Sequence, residues 1–548
     1  MPAGDAALLV VLGEAIDPRL NARVHALAAA LAGQPGIVDL APAYGSLLVA
    51  YDPAASGYAA IEARVRAALT ALPTRPALPG RRRRLPVAYG GEYGPDVPAV
   101  AARLGLDEAA VVHLHAEPVY RVYMLGFAPG YSYLGELPAA LELPRLSTPR
   151  AHVPAGSVAI AGRQTGVYSV ATPGGWHLLG RTPVRLFDAE RDPPGYLAPG
   201  DRVRFVPITP ARFARRAARE RGARPAPAPS SNAHLDVLAP GLLTTVQDLG
   251  RAGYARYGVP TAGAMDELAA RAANRLVGNA DDAAVLEITL AGPTLSFERE
   301  ALFAVTGADL SPRLDGDAVP GWTACQAPAG GMLRFGKRQA GLRAYLAVAG
   351  GIHVPPVLGS AATYLRGEFG GHEGRALRAG ERLAVGPTPP DAAALTGGAL
   401  PPAARPPYSR EPVVRVVLGP HAERFTAAGV DTLLGAAYTV STAADRMGYR
   451  LEGPPLARQE PADILSQGMA LGGIQVPGDG QPIILLADHQ TTGGYPLVAT
   501  VIRADLPLVA QLAPGDTLRF RAVSVDEARA AYLALLAALD APGAARAG

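Results

Sequence analysis

The chain has 548 residues, of which 49% are apolar and 18% charged, and its net charge is +3. That length is too great for one core and predicts three or four domains, and the apolar share excludes wholesale disorder. So small a net charge excludes the usual electrostatic footprint of a nucleic-acid partner. The 63 glycines and 53 prolines follow no short period, which predicts many turns between short strands.

In chain order, residues 7–12 read as a buried strand and 18–32 as a helix ending before Gly33. Residues 37–40 and 46–51 read as strands joined by a turn at Tyr44-Gly45, and 58–71 as a second helix. This β-α-β-β-α order predicts a small ferredoxin-like unit, placed at 1–90. The basic run Arg81–Arg84 lies among Pro and Gly residues and reads as a solvated linker. A β-rich unit follows at 91–210, then a linker at 211–234 that passes from an Arg/Ala helical run into Pro-Ala repeats. A second β unit is placed at 235–386, a proline-rich linker at 387–412, a third β unit at 413–525, and a helix and tail at 526–548.

An internal repeat ties these units together. Leu197-Ala-Pro-Gly-Asp-Arg-Val-Arg-Phe205 returns as Leu512-Ala-Pro-Gly-Asp-Thr-Leu-Arg-Phe520, and more weakly as Leu377-Arg-Ala-Gly-Glu-Arg-Leu-Ala-Val385. Each copy reads as a tight Gly turn followed by a closing strand. Upstream, Val153-Pro154 with Gln164-Thr165 is matched by Val476-Pro477 with Gln490-Thr491, which predicts that Gln164 and Gln490 occupy equivalent places. Related β-rich units with Gly turns favour barrels or sandwiches, and the class is α+β, β-rich.

Several positions could carry chemistry. The loop Gly126-Phe-Ala-Pro-Gly-Tyr-Ser-Tyr-Leu-Gly135 is either a packed turn or one wall of a ligand pocket. In Pro173-Gly-Gly-Trp-His-Leu-Leu-Gly-Arg181, Gly174 and Gly175 allow close backbone approach, and Arg181 could grip a carboxylate or phosphate. The amides and hydroxyls of Gln164, Thr165, Gln490 and Thr491 could orient an amide-like substrate, and Asp488 and His489 add ionisable groups to the second copy. Asp248 with Arg251, and Asp445 with Arg446, are either structural ion pairs or ligand grips. Lys337 is the sole lysine beside 50 arginines, and Cys325 the sole cysteine, which reads as a core residue. No phosphate loop, kinase motif set, zinc spacing or nucleophile elbow occurs, so any ATP site is of another kind and no metal ligands are assigned. One cysteine, no signal-peptide pattern and no long apolar run predict a cytoplasmic protein without a membrane span.

The stretches Pro149–Tyr168, Gly126–Gly135 and Gly174-Gly-Trp resemble the "allophanate hydrolase subunit 1" family. Thr245–Arg251, Tyr345–Ile352, Asp445–Gly453 and Asp488–Pro496 resemble the "subunit 2" family. Ser169 departs from the usual Pro and Ala444 from the usual Ser. Members of these families are similar to the B and C subunits of prokaryotic 5-oxoprolinase, to the carboxyltransferase domain of urea carboxylase, and to a sporulation-kinase inhibitor with its antagonist. The resemblance implies a ferredoxin-like piece followed by about three cyclophilin-like β-barrel units. It implies fused B and C subunits that hydrolyse 5-oxo-L-proline to L-glutamate with ATP and Mg2+, beside a separate LamB/YcsF-type A subunit of 5-oxoprolinase. The rival readings are a carboxyltransferase using biotin carried in trans and a histidine-kinase regulator. Homo-oligomerisation stays open.

Overall fold

The computed structural model describes residues 1–146, 148, 150–220 and 233–540. The Pro/Ala-rich part of the first linker, 221–232, and the tail, 541–548, lie outside the described residues.

The N-terminal unit consists of β1 (Ala7–Val11), α1 (Pro18–Leu31), β2 (Ile37–Pro42), β3 (Ser46–Tyr51) and α2 (Tyr58–Ala71). Its antiparallel sheet runs β1-β3-β2. Helix α1 starts where it does because the Asp17 carboxylate accepts the Arg19 and Leu20 N–H groups at 2.8 and 2.7 Å, with Pro18 in the first turn. Val24, Leu27 and Leu31 form its apolar stripe and pack with Ile61 and Val65 of α2 over Leu8, Val10, Leu47 and Val49. The sheet's other face, Ala7, Leu9, Ala41 and Leu48, buries Ala470 from the far end of the chain.

Two closed seven-stranded barrels follow. The first holds β4 (Arg82–Tyr89), β5 (Val119–Leu125), β6 (Ser132–Gly135), β7 (Ser157–Ala161), β8 (Gln164–Val167), β9 (His177–Arg181) and β10 (Arg202–Pro207), in ring order β9-β4-β10-β5-β6-β8-β7. The second holds β11 (Val413–Leu418), β12 (Ala437–Val440), β13 (Gly448–Glu452), β14 (Gly473–Gln475), β15 (Ile483–Leu485), β16 (Leu497–Val501) and β17 (Thr517–Ala522). Its ring is β11-β16-β14-β15-β13-β12-β17. Ranked along the chain, both rings run sixth, first, seventh, second, third, fifth, fourth. In both, the first and seventh strands pair in parallel.

The repeated closing motif has a local cause. Asp201 accepts the N–H of Ala198 at 3.2 Å and of Arg81 at 2.7 Å. Asp516 accepts the N–H of Ala513 at 2.9 Å and the Arg410 guanidinium at 2.7 Å. In the third copy Glu381 accepts the Arg378 N–H at 2.7 Å and pairs with Arg375 at 2.6 Å. A carboxylate that satisfies the N–H three residues upstream and an arginine can be buried, and the turn is thereby fixed.

Three expectations are corrected here. Arg81–Arg84 is no linker: β4 begins at Arg82 and lies in the first barrel, so the N-terminal unit ends before residue 82, not at 90. Outward Arg82 and Arg84 alternate with the pleat before Leu85–Ala88 enter the core. Gln164 and Gln490 occupy unlike places: Gln164 opens β8, a fifth strand, whereas Gln490 follows the end of β15, also a fifth strand. Nor is 387–412 a free spacer, since Ala392 and Leu400 are buried in the middle unit's core beside the partly buried Tyr408.

The middle unit, residues 234–385, packs a seven-stranded sheet on a five-stranded one around a shared core that includes Leu235, Val246, Leu286, Phe303 and Leu346. The helix Glu267–Leu276, capped by Asp266, covers the outer face of the smaller sheet. The third motif copy here closes an open sheet rather than a ring.

Candidate functional site

A cleft of about 420 Å³ opens between the two barrels. The first barrel supplies an aromatic wall: Phe127, Tyr131, Tyr133, Tyr168 and Trp176. Trp176 follows a two-stranded ribbon, Arg150–Val153 with Thr172–Gly174, which carries Gly174 and Gly175 to the cleft. The second barrel supplies the floor from β13–β15, through Gly448, Arg450, Gln475, Ile483 and Leu485. Arg145, Arg366, Asp445, Gln490 and Tyr495 also line it.

Two glycines are demanded by this geometry. A Cβ on Gly126 would meet the Thr492 hydroxyl of the other barrel at 2.3 Å. One on Gly174 would meet the Tyr168 hydroxyl at 2.3 Å. The rings stack edge to face, Tyr131 on Tyr133 at 4.7 Å and on Tyr168 at 4.9 Å between centroids. Burial pushes the Tyr131, Tyr133 and Tyr168 phenols above their ordinary range, so they act as neutral hydrogen-bonding groups.

The charge of the cleft is cationic. Arg145 pairs with Asp463 and Arg366 with Asp445, both at 2.9 Å. The Arg450 guanidinium has no partner among the described residues. The Gln490 Nε2 donates to Gln475 Oε1 at 3.1 Å.

The structure therefore brings Gly174, Gly175, Asp445 and Gln490 together, and it places the other sequence candidates elsewhere. Gln164 accepts from the Tyr44 hydroxyl at 3.1 Å, outside the cleft. Thr165 is buried, donating to the Ala159 carbonyl and bonded to His115 Nε2 at 2.8 Å. Arg181 donates to the Ala155 carbonyl at 2.6 Å and stacks on Phe213. Asp248 does not pair with Arg251; it accepts from Gly250, Ser360 and Ala361 and fixes a buried turn. Arg251 donates to the Ala362 carbonyl and lies over the Phe369 ring, its Nη1 has no hydrogen-bond partner among the described residues, and burial pulls its pKa down to about 10.

Asp488 and Thr491, expected beside Gln490, point away from it. Thr491 faces a separate cavity of about 190 Å³ toward the N-terminal sheet. Asp488 takes both its oxygens to Arg446, at 3.0 and 3.1 Å. Arg446 also binds Glu287 and the Gly263 carbonyl of the middle unit. Burial opposes the charge of Glu287, but Arg446 and Arg343 outweigh it and hold its carboxyl below the ordinary range. The cluster locks the segment bearing Gln490 to the middle unit. Sequence reasoning missed Arg145, Arg366 and Gln475, which no local motif marks, and it passed over Arg450 inside the Asp445–Gly453 motif.

Four buried histidines are expected to make the fold acid-sensitive. Burial lowers His25 and His421 to about 4 and His115 to about 3, and lowers His489 as well. Their folded-state values lie below the ordinary 6.5, so the stability they confer is complete above that pH and is lost as the pH falls from 6.5 toward 3–4. Each contributes a slope of up to about 1.4 kcal/mol per pH unit. Denaturant titrations at pH 7 and pH 5 are expected to show the loss, and His115→Gln should flatten it. An unchanged midpoint would refute this.

Comparison with known proteins places both halves. Residues 1–197 match the family "Carboxyltransferase domain, subdomain C and D", and residues 257–522 match "Carboxyltransferase domain, subdomain A and B". The chain is 42% identical over 296 residues to the C subunit of 5-oxoprolinase from Escherichia coli strain K12, covering 54% of this chain and 93% of that protein. It is 41% identical over 218 residues to the B subunit of 5-oxoprolinase from Bacillus subtilis strain 168, covering 38% of this chain and 91% of that protein. The crystal structure of the protein TTHA0988 superposes with a TM-score of 0.81 at 39% identity, over 94% of this chain and 99% of that one.

Proposed function

Because the chain belongs to the carboxyltransferase-domain family, with halves like the B and C subunits of 5-oxoprolinase in one polypeptide, we propose that it opens 5-oxo-L-proline to L-glutamate. In this reading it uses ATP and acts with a separate LamB/YcsF-type A subunit. The observation that carries the reading is the cleft itself: cationic, aromatic and built from both halves, it suits a small planar anion.

The lactam is a poor electrophile because resonance protects its carbonyl. ATP would phosphorylate the amide oxygen and create a leaving group before water attacks. The chain's own residues would bind and orient the ring: the aromatic wall covers its faces, and the neutral phenols offer hydrogen bonds without competing negative charge. Among the described residues no group of three His, Cys, Asp or Glu could hold a metal ion, so Mg2+ enters this proposal with the nucleotide.

The test combines the chain with the purified A subunit, with ATP, Mg2+ and 5-oxoproline. Glutamate and phosphate are expected in equal amounts, with little turnover when either protein is left out. The family description favours one rival, a carboxyltransferase. Its carrier biotin would come from another protein, since Lys337 stands in Phe-Gly-Lys-Arg. Bicarbonate-dependent, avidin-sensitive turnover of urea without glutamate release would establish that rival.

A further inference from the structure

The cleft floor carries two recognition elements that match the two ends of one small molecule. Gln475 closes β14, and Gln490 follows β15. Their carboxamides share one hydrogen bond, Gln490 Nε2 to Gln475 Oε1 at 3.1 Å. Each amide side chain has one oxygen acceptor and one NH2 donor. The shared bond uses one of each, and neither the Gln475 NH2 nor the Gln490 oxygen is paired with another described residue. The pair thus offers a donor and an acceptor side by side.

A lactam holds its N–H and C=O on the same edge, because the ring fixes the amide cis. That edge is complementary to the free donor and acceptor of the glutamine pair.

Arg450 lies on the neighbouring strand. It pairs in register with Ile483, and Gly448 pairs with Leu485, all four lining the cleft. Tyr449 points into the barrel core, so Arg450 points outward, into the space that the first barrel's aromatic wall faces. Gly448 leaves room beside it. Arg145 and Arg366 already have carboxylate partners and Arg450 has none among the described residues.

We propose that Arg450 holds the carboxylate, and the Gln475–Gln490 pair the amide edge, of a small carboxylated amide. This rests on the reading above when that molecule is 5-oxoproline. These are specificity-determining residues, and a planar guanidinium suits a carboxylate held by two parallel bonds.

Direct binding to the full chain separates the two claims, because it needs neither ATP nor a second protein. Titration calorimetry is run with 5-oxoproline, with 2-pyrrolidinone, which lacks the carboxylate, and with allophanate, a carboxylated open amide. Arg450→Gln is expected to weaken 5-oxoproline about 30-fold or more, the size of one lost charge-assisted contact, and to leave 2-pyrrolidinone within about twofold. Gln490→Leu should weaken both lactams. Equal losses for the two lactams in Arg450→Gln, or no loss for either, overturn the assignment. If 5-oxoproline does not bind the parent chain but allophanate does, and Arg450→Gln abolishes that, the subsite assignment stands and the oxoprolinase reading falls. Thermal melts accompany each variant, and a charge-keeping Arg450→Lys should recover part of the affinity.

Discussion

Replacing Arg446 by Met is expected to cost about 3–5 kcal/mol of stability. Arg446 is buried and bridges Asp488 of the second barrel to Glu287 of the middle unit, while a further N–H reaches the Gly263 carbonyl. Removal takes from both carboxylates the cation that bridges them. Arg343 still approaches Glu287, at 3.8 Å, but it is committed to Tyr449 and the Ala510 carbonyl. Denaturant titration followed by tyrosine and tryptophan emission measures the cost. The triple change Arg446→Met, Glu287→Gln and Asp488→Asn should be milder than Arg446→Met alone, because it removes the unpaired charges too. Were the single variant as stable as the parent, the cluster would not be the lock described.

The second large effect concerns the two halves. Residues 1–220 and 233–548, produced as separate polypeptides, are each expected to lose at least about 100-fold in affinity for 5-oxoproline, since losing one wall of a pocket forfeits several kcal/mol. The first piece keeps the aromatic wall and Arg145; the second keeps Arg450, both glutamines and Arg366. Mixing should restore binding, because the contact between them is broad. The N-terminal sheet buries Ala470, Asp5 accepts the Arg503 N–H at 3.1 Å, and Asp39 accepts the Ala255 N–H at 3.2 Å. Full affinity in either isolated piece would show that the ligand sits elsewhere.

What could be read from sequence was what local chemistry determines. The N-terminal unit was legible because its periodicities switch cleanly and Asp17-Pro18 and Gly33 punctuate α1. The closing motif was legible for a stronger reason: its carboxylate binds an N–H three residues away, so the signature and the structure are the same few residues. The Gln-Thr pairs misled because similar dipeptides fell on opposite ends of fifth strands. Arg81–Arg84 misled because charge was counted without the pleat that turns alternate residues outward. The cleft was only half legible. Gly174, Gln490 and Arg450 lie in conspicuous motifs, but Arg145 and Arg366 do not, and all five come from distant segments. Only tertiary packing makes them neighbours, and an arginine on an outer barrel face looks ordinary until a second barrel covers it.

The position of Trp176 makes the cleft optically visible. The chain has two tryptophans. Trp322 lies in the middle unit, 6.4 Å from Tyr408. Trp176 sits in the cleft wall with the Tyr131 and Tyr133 rings each 6.0 Å away, within range for them to pass excitation to its indole. Any molecule that fills the space between the barrels changes the polarity around that indole and displaces the water beside it. The protein therefore carries its own gauge of occupancy, and with Trp322 replaced by Phe the emission reports on one site alone.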